Sequence, residues 1–310
     1  MAKTHDSLNR RSRLTPTSTG KRVVPRVRAL TWFEALHRHG SLNSSMLHAF
    51  TAHLFRDETL SKKRLRDLFH EDNTPHGGHY LIRPHQQPVY DLDSPSIKPI
   101  DLFYDITYAA ELALKEAGLW HEHVPKRSNN WKHDALRAYV TANRDLVCRQ
   151  HPDKFEYIYH DEIVERIKTT SFQVGEDVII PDGFDGIRYL PSRTAILFIH
   201  EIDMNTQPLR SKSEWRHKSF EKSDRLYKRF FEERIYEEYF GKGASVMLQH
   251  TTVNARHMQN MLEVVGSSIH QLFTCVPEFG ATFTSPGPRP ELVFTPYLRA
   301  GKPTFDVSNP

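Results

Sequence analysis

Three carboxylates near the middle of the chain have the types and spacing of a divalent-cation site. Asp182 comes just after an apolar run over 177–180, and Glu201 and Asp203 close a second apolar run over 195–203. Strand geometry places residues i and i+2 on one face of a sheet. If the two runs pair as a hairpin, the three carboxylates meet, and hard cations such as Mg²⁺ favour oxygen clusters of this kind. The sequence therefore predicts a Mg²⁺ site at Asp182, Glu201 and Asp203.

Other familiar site chemistries find no support. The chain has 19 histidines, but neither His121-Glu122-His123 nor the trio His76, His79 and His85 has the cysteine partners or helical spacing of a zinc site. There is no glycine-rich phosphate loop and no nucleophile elbow. There is also no tyrosine flanked by a His-x-His triad. These patterns argue against ATP hydrolysis, serine hydrolase chemistry and classical nicking relaxase chemistry.

Length and composition bound the protein class. The 310 residues are enough for one large or two modest domains, and the hydrophobic content of 38% is enough for a core. No apolar run approaches the roughly 20 residues of a membrane span, so no membrane partner is expected. Cys148 and Cys275 are too few for a disulfide framework or a zinc set. With a charged start that does not resemble a secretory signal, the chain is predicted to be cytoplasmic.

Positive charge is concentrated at the N-terminus. The formal net charge is only +4, yet the first 28 residues carry eight Lys or Arg against one acid, Asp6. Residues 1–26 are therefore predicted to be a disordered basic arm. The arm is either a solvated tail or a segment that tracks a phosphate backbone.

The pattern over residues 27–120 predicts a winged helix-turn-helix. Apolar periodicity indicates helices over 27–39, from 44 onward and from about 59 or 61, and the third is rich in Lys and Arg. Gly77-Gly78 follows, then two β-like runs over 79–82 and 88–92 that would form the wing, and a further helix over 100–118.

The third helix is the predicted recognition helix. Its Lys62, Lys63, Arg64 and Arg66 are expected to contact double-stranded DNA. An ordinary solvated face is the simpler interpretation of one basic helix, and winged helices also serve as protein-interaction modules.

The second half predicts a mixed sheet covered by helices. Helices are expected over 131–150, 213–240 and 254–265, and strands over 155–159, 177–180, 186–190, 195–203, 244–249 and 273–276. A polar linker over 121–130 separates this domain, residues 131–280, from the first, and the Pro- and Gly-rich tail over 281–310 is predicted to be irregular. The predicted fold class is α+β.

Several short stretches, taken in order, carry a family resemblance. They are Trp131-Lys132-His133-Asp134-Ala135-Leu136, Ile180-Pro181-Asp182-Gly183, His200-Glu201-Ile202-Asp203-Met204-Asn205-Thr206, the pair Lys222 and Tyr227, and Val253-Asn254-Ala255-Arg256. This ordered set resembles the plasmid replication-relaxation family over most of residues 27–280. The resemblance implies a winged helix followed by a PD-(D/E)xK nuclease-like domain, and a role in plasmid or mobile-element replication or relaxation with DNA as partner.

The resemblance also assigns roles within the carboxylate site. In the nuclease pattern the Asp of the Pro-Asp element and the Glu of the third strand bind metal, and a Lys two residues later orients or activates water. Asp182 and Glu201 match this pattern, whereas Asp203 stands where the Lys belongs. The missing Lys puts Mg²⁺-dependent endonuclease activity in question.

Three alternatives follow from the departure. A lysine of the next helix could replace the missing one, with Lys222 as the candidate and Lys218 in reserve. Asp203 could instead be an additional metal ligand, with Gln207 or Lys222 orienting water. In the third alternative the site does not cleave, and the fold is a platform for DNA binding or assembly. Each carboxylate could also be an ordinary turn or edge residue.

A basic segment after the carboxylate strand is the second candidate DNA contact. Residues 208–242 carry ten Lys or Arg against seven acids, and Arg210, Lys212 and Arg216 precede most of those acids. These three residues are expected to bind phosphate. The sequence thus predicts a DNA-binding protein that is either an endonuclease or a non-catalytic transcription or replication regulator, with a protein-assembly module as the third option. A replication or regulatory protein is a further expected partner, and the oligomeric state stays open.

Overall fold

The computed structural model describes residues 13–91, 98–206, 208–210 and 219–308. The chain forms two units, an N-terminal unit of Met1–Ala142 with Phe283–Pro288 and a C-terminal unit of Asn143–Thr282 with Arg289–Pro310. The boundary between the units falls inside a helix, whereas the sequence placed it in the linker over 121–130. In the described part of the chain, no helix has both the length and the apolar character needed to cross a membrane.

The N-terminal unit combines helices with a small antiparallel sheet. Its elements are α1 (Val27–His39), β1 (Leu42–Asn43), α2 (Ser44–Thr51), α3 (Glu58–His70), β2 (Leu81–Ile82), β3 (Tyr90–Asp91), β4 (Lys98–Pro99), β5 (Phe103–Ile106), α4 (Tyr108–Glu116) and the first part of α5 (Trp131–Gln150). The sheet has the strand order β1-β5-β2. Asn43 and Asp57 cap α2 and α3 by accepting hydrogen bonds from the backbone N–H groups of Met46 and Leu60.

Two predictions for this region are wrong. The runs over 79–82 and 88–92 do not pair with each other, because β2 pairs with β5 and β3 pairs with β4. The predicted helix over 100–118 is a strand in its first part, with Phe103 and Tyr104 buried, and its helix begins at Tyr108. A short apolar run such as 102–104 has no period that separates strand from helix.

The described part of the predicted arm, residues 13–26, is ordered along the N-terminal unit. Val23 is buried, and its backbone N–H donates to the carbonyl of Asn73 at 3.0 Å. Thr19 donates to the carboxylate of Glu71, which is 1% exposed, from its backbone N at 2.8 Å and its Oγ1 at 3.0 Å. Disorder was predicted from low apolar content, but the segment is held by hydrogen bonds to a buried carboxylate. Residues 1–12 lie outside the described part.

The C-terminal unit is built on a seven-stranded mixed sheet. Its elements are the rest of α5, β6 (Phe155–Ile158), α6 (His160–Ile167), β7 (Phe172–Val174), β8 (Asp177–Ile179), β9 (Gly183–Tyr189), β10 (Thr194–Asp203), α7 (Phe220–Glu232), α8 (Tyr236–Phe240), β11 (Ser245–Thr252), α9 (Ala255–Val265), β12 (Gln271–Cys275), a 3₁₀ turn (Pro277–Phe279), α10 (Glu291–Phe294), β13 (Tyr297–Arg299) and β14 (Lys302–Phe305). The strand order is β14-β13-β12-β11-β10-β9-β6, and β10-β11 and β11-β12 are parallel. The predicted α+β class is confirmed.

Alternation along β10 divides the core between the two faces of this sheet. Ile199 belongs to a cluster with Tyr227 and Phe230 of α7. Phe198, one residue earlier, belongs to a cluster with Val147 of α5 on the opposite face. The period of two therefore fixes which face each later residue of β10 occupies, as strand geometry requires.

The hairpin predicted between 177–180 and 195–203 is wrong. β8 pairs with β7, and β10 pairs with β9 on one side and β11 on the other. The turn between β9 and β10 covers 190–193, at the junction of the strands predicted over 186–190 and 195–203. Gly186 of β9 permits this pairing, because a Cβ there would lie 2.8 Å from the carbonyl oxygen of Ile196.

The long helix and the tail also differ from prediction. The helix predicted over 213–240 is interrupted between α7 and α8, where Arg234 has a φ of 57°, and 211–218 lies outside the described residues. The tail over 281–310, predicted to be irregular, contains α10, β13 and β14. Tyr297 and Phe305 of these strands are buried in the same cluster as Phe198. Strands of three or four residues among prolines are too short for alternation to identify.

Candidate functional site

Asp182 lies immediately before β9 and is hydrogen-bonded to the end of β10. Its backbone N–H donates to the carbonyl of His200 at 2.9 Å. Its Oδ2 accepts the backbone N–H of Ile202 at 2.7 Å. The Asp182 carboxylate therefore flanks the strand residue between these two, Glu201. Asp182 thus reaches β10 from the neighbouring strand β9. The hairpin predicted between 177–180 and 195–203, which was expected to bring it there, does not form.

Glu201 faces α7. Its Oε1 accepts the hydroxyl of Tyr227 at 2.5 Å, and Tyr227 is fully buried. Burial raises the pKa of Tyr227 well above its usual value, and the charges of Glu201 and Asp182 raise it further. The phenol therefore stays protonated and acts as a donor beside both carboxylates.

Asp203 is engaged by a different helix. Its Oδ2 lies 2.7 Å from Nε2 of His257, and its Oδ1 accepts the backbone N–H of Asn205 at 2.7 Å. His257 is in the first turn of α9, where its backbone N–H is capped by Asn254 Oδ1 at 3.0 Å. Sequence reasoning missed His257, which lies 54 residues from Asp203, and nothing in the local sequence links the two.

The three carboxylates are engaged by protein groups, and the predicted Mg²⁺ site stays a prediction. In the parts of the chain that the structure covers, no group of three or more His, Cys, Asp or Glu is arranged to hold a metal ion. Both oxygens of Asp203 already have protein partners. Glu201 and Asp203 share a sheet face as expected, but one contacts α7 and the other contacts α9.

Lys222, the predicted replacement for the missing lysine, is exposed. It lies five residues before Tyr227, which corresponds to about 140° around the helix at 3.6 residues per turn. Helix α7 therefore presents Tyr227 to Glu201, while Lys222 lies on another side. The other two candidates for this role, Lys218 and Gln207, lie outside the described residues.

The opposite face of the sheet carries a buried polar network that sequence reasoning did not find. Its members are Arg144 of α5, Tyr157 of β6, Asp185 of β9, His200 of β10, Gln249 of β11 and Tyr297 of β13. Arg144 and Asp185 form an ion pair, and both side chains are fully buried. Arg144 Nη2 also donates to Gln249 Oε1 at 2.5 Å and to Tyr297 Oη at 3.2 Å.

Asp185 is charged within this network. Its Oδ2 accepts the Tyr157 hydroxyl at 3.0 Å, and its Oδ1 lies 2.9 Å from His200 Nε2. Burial alone would raise the pKa of Asp185, but the charges of Arg144 and His200 and its hydrogen bonds hold that pKa below its usual value. The sequence signal was slight, a charged residue among apolar neighbours in α5 (Arg144) and in β9 (Asp185).

The four basic residues predicted on α3 fall into two pairs. Lys62 forms ion pairs with Glu58 Oε1 at 3.0 Å and Asp101 Oδ1 at 2.8 Å. Arg64 is half-buried and its Nη2 donates to the carbonyl of Val24 at 2.5 Å. Lys63 and Arg66 are exposed. The surface of α3 that is open to a partner therefore carries Lys63 and Arg66.

The second basic segment is described only in part. Arg210 is exposed. Lys212 and Arg216 lie outside the described residues. Comparison of the chain with family models, with curated proteins and with solved structures finds no match.

Proposed function

We propose that this chain is a double-stranded DNA-binding protein whose N-terminal unit is a winged helix-turn-helix. The observation that carries the proposal is α3, which packs Leu65 and Leu68 into the core and leaves Lys63 and Arg66 exposed. The order of three helices with the antiparallel sheet β1-β5-β2 supports this architecture. Exposed cations on a helix that is anchored on its other side suit contact with DNA phosphates.

The C-terminal unit is proposed to be a PD-(D/E)xK-like domain that has lost cleavage. The mixed sheet and the position of Asp182 beside Glu201 support the likeness, and the contact of Asp203 with His257 supports the loss. In this proposal the protein acts in the cytoplasm in plasmid or mobile-element replication or relaxation. It regulates that process by binding DNA, and a replication or regulatory protein is its proposed protein partner.

DNA binding is tested by fluorescence anisotropy with a labelled duplex at low salt. The variant Lys63→Gln with Arg66→Gln is expected to bind roughly tenfold more weakly, which corresponds to about 1.4 kcal/mol. The matched control is Lys242→Gln with Lys302→Gln, two exposed lysines of the C-terminal unit whose loss changes the net charge equally. No binding by the native chain even at about 50 mM salt, where phosphate contacts are strongest, would refute the proposal.

Mg²⁺-dependent cleavage is the second candidate function. It is favoured by Asp182 and Glu201, whose charges both act on the Tyr227 hydroxyl. Supercoiled plasmid incubated with the protein and Mg²⁺ decides between the two candidates. Relaxed or linear product that disappears with Asp182→Ala or Glu201→Ala would establish an endonuclease, and a shift in mobility without cleavage would support the non-catalytic regulator.

A further inference from the structure

A groove on the N-terminal unit concentrates positive charge. It has a volume of about 610 Å³, and its lining includes Arg22, Arg26, Arg28, Arg64, Phe55 and the first residues of α1. We call it the basic groove. Four of its eight lining residues are arginines, and none is an acid. One end of the groove adjoins α3, since Arg64 follows the exposed Lys63 directly.

Two of the four guanidinium groups are held in place. The guanidinium of Arg28 lies 3.9 Å from the centroid of the Phe55 ring. Arg64 Nη2 donates to the carbonyl of Val24 at 2.5 Å. Because these contacts fix the two groups before any ligand arrives, an anion bound here would cost less side-chain entropy. Arg22 and Arg26 are exposed and complete the charged wall.

The charge of the groove is not neutralised by the part of the chain that the structure covers. None of the four arginines forms an ion pair there, and Asp67, the acid whose charge acts on Arg64, is paired with Lys21 at 2.5 Å. Burial lowers the pKa of Arg64, Asp67 raises it, and Arg28 and Arg26 lower it further. Four like charges in one groove disfavour one another, so a bound anion would relieve this repulsion.

The start of α1 adds to the positive potential. Val27, Arg28 and Ala29 form the first turn of α1, and Arg26 at the N-cap position makes no side-chain capping bond. The first N–H groups of a helix carry partial positive charge and bind phosphate oxygens well. The groove therefore combines guanidinium forks with backbone donors at one edge.

We propose that the basic groove binds the backbone phosphate of duplex DNA beside the base pairs that α3 contacts. This inference rests on the proposed DNA-binding function and names a second contact surface for it. Recognition of bases is disfavoured, because the only aromatic residue in the lining, Phe55, is covered by Arg28 and offers no open ring for stacking. Guanidinium groups match phosphate oxygens with paired hydrogen bonds.

The test measures duplex binding by fluorescence anisotropy over a series of salt concentrations. The variants replace a charged arginine or lysine with neutral glutamine. The variant Arg22→Gln with Arg26→Gln changes two exposed side chains, so folding should be retained, which circular dichroism verifies. Loss of two phosphate contacts should reduce the slope of log K against log salt by about 2. The weakening should be the same for unrelated duplex sequences, because phosphate contacts carry no sequence information. Lys242→Gln with Lys302→Gln is again the control for net charge.

The outcomes separate this inference from the function on which it rests. If the native chain binds no duplex, both fail. If the native chain binds and the Arg22 and Arg26 variant keeps its affinity and salt slope, the basic groove makes no phosphate contact and this inference alone fails. Pyrophosphate tests whether the groove binds a small polyphosphate instead of DNA. Stabilisation of the native chain by pyrophosphate, lost in the variant while DNA binding is unchanged, would assign the groove to a small polyphosphate and overturn the proposal.

Discussion

Replacing Arg144 with methionine should destabilise the C-terminal unit strongly. The guanidinium of Arg144 is fully buried, pairs with Asp185 and lies 3.9 Å from the Phe198 ring centroid. Arg144→Met keeps a long side chain over that ring but removes the cation. Asp185 would then be a buried carboxylate whose remaining contacts are His200 and Tyr157.

The expected loss follows from the burial of both partners. Removing one member of a buried ion pair costs about 3–5 kcal/mol, because the other charge stays uncompensated. Gln249 and Tyr297 also lose the hydrogen-bonding group of Arg144. With a urea dependence of about 2 kcal/mol/M, the unfolding midpoint should fall by roughly 2 M.

The assay is urea unfolding followed by circular dichroism, with hydrogen exchange of the β9 and β10 amides to locate the loss. The matched control is Arg188→Met on β9, which breaks the ion pair with Glu156 at a site where both side chains are about half exposed, at 46% and 51%. Exposed pairs contribute at most about 1 kcal/mol. The double variant Arg144→Met with Asp185→Asn removes both charges and should recover part of the loss, about 1–3 kcal/mol. An Arg144→Met variant as stable as Arg188→Met, or a double variant that shows the full sum of the single losses, would refute this account.

Two further predictions concern the side of the sheet that faces α7 and α9. Tyr227→Phe should cost about 1–3 kcal/mol in urea unfolding, because Glu201 Oε1 loses its buried donor, and an unchanged midpoint would contradict that role. His250 is buried against Phe273, and its Nε2 lies 3.0 Å from Gln271 Oε1. Burial lowers its pKa to about 4, only partly opposed by that hydrogen bond. Since the folded pKa lies below the unfolded value of about 6.5, the contribution of His250 is complete above pH 6.5 and is lost as the pH falls towards 4, by about 3 kcal/mol. Stability measured from pH 7 to 4 should therefore fall less steeply for His250→Gln than for the native chain, and identical profiles would contradict the prediction.

The sequence identified elements better than it identified their partners. Strand β10 follows from its apolar run, and the shared face of Glu201 and Asp203 follows from a period of two. The pairing of β8 with β7 could not be predicted, because several short apolar runs were equivalent candidates. Residues 13–26 are held in part by Glu71, a buried carboxylate 52 residues away from Thr19. Local composition contains no information about such long-range hydrogen bonds.

Long-range contacts also decide what the carboxylates of β10 bind. Type and spacing correctly placed Glu201 and Asp203 on one face, but what a carboxylate binds depends on the elements that cover that face. Tyr227 of α7 and His257 of α9 each reach one of them. Two helices that pack against the same sheet thus each make one polar contact with the end of β10. A lysine at position 203 would place a cation opposite His257 in place of this contact, so the residue at which the chain departs from the pattern of the family it resembles also makes the polar contact between β10 and α9.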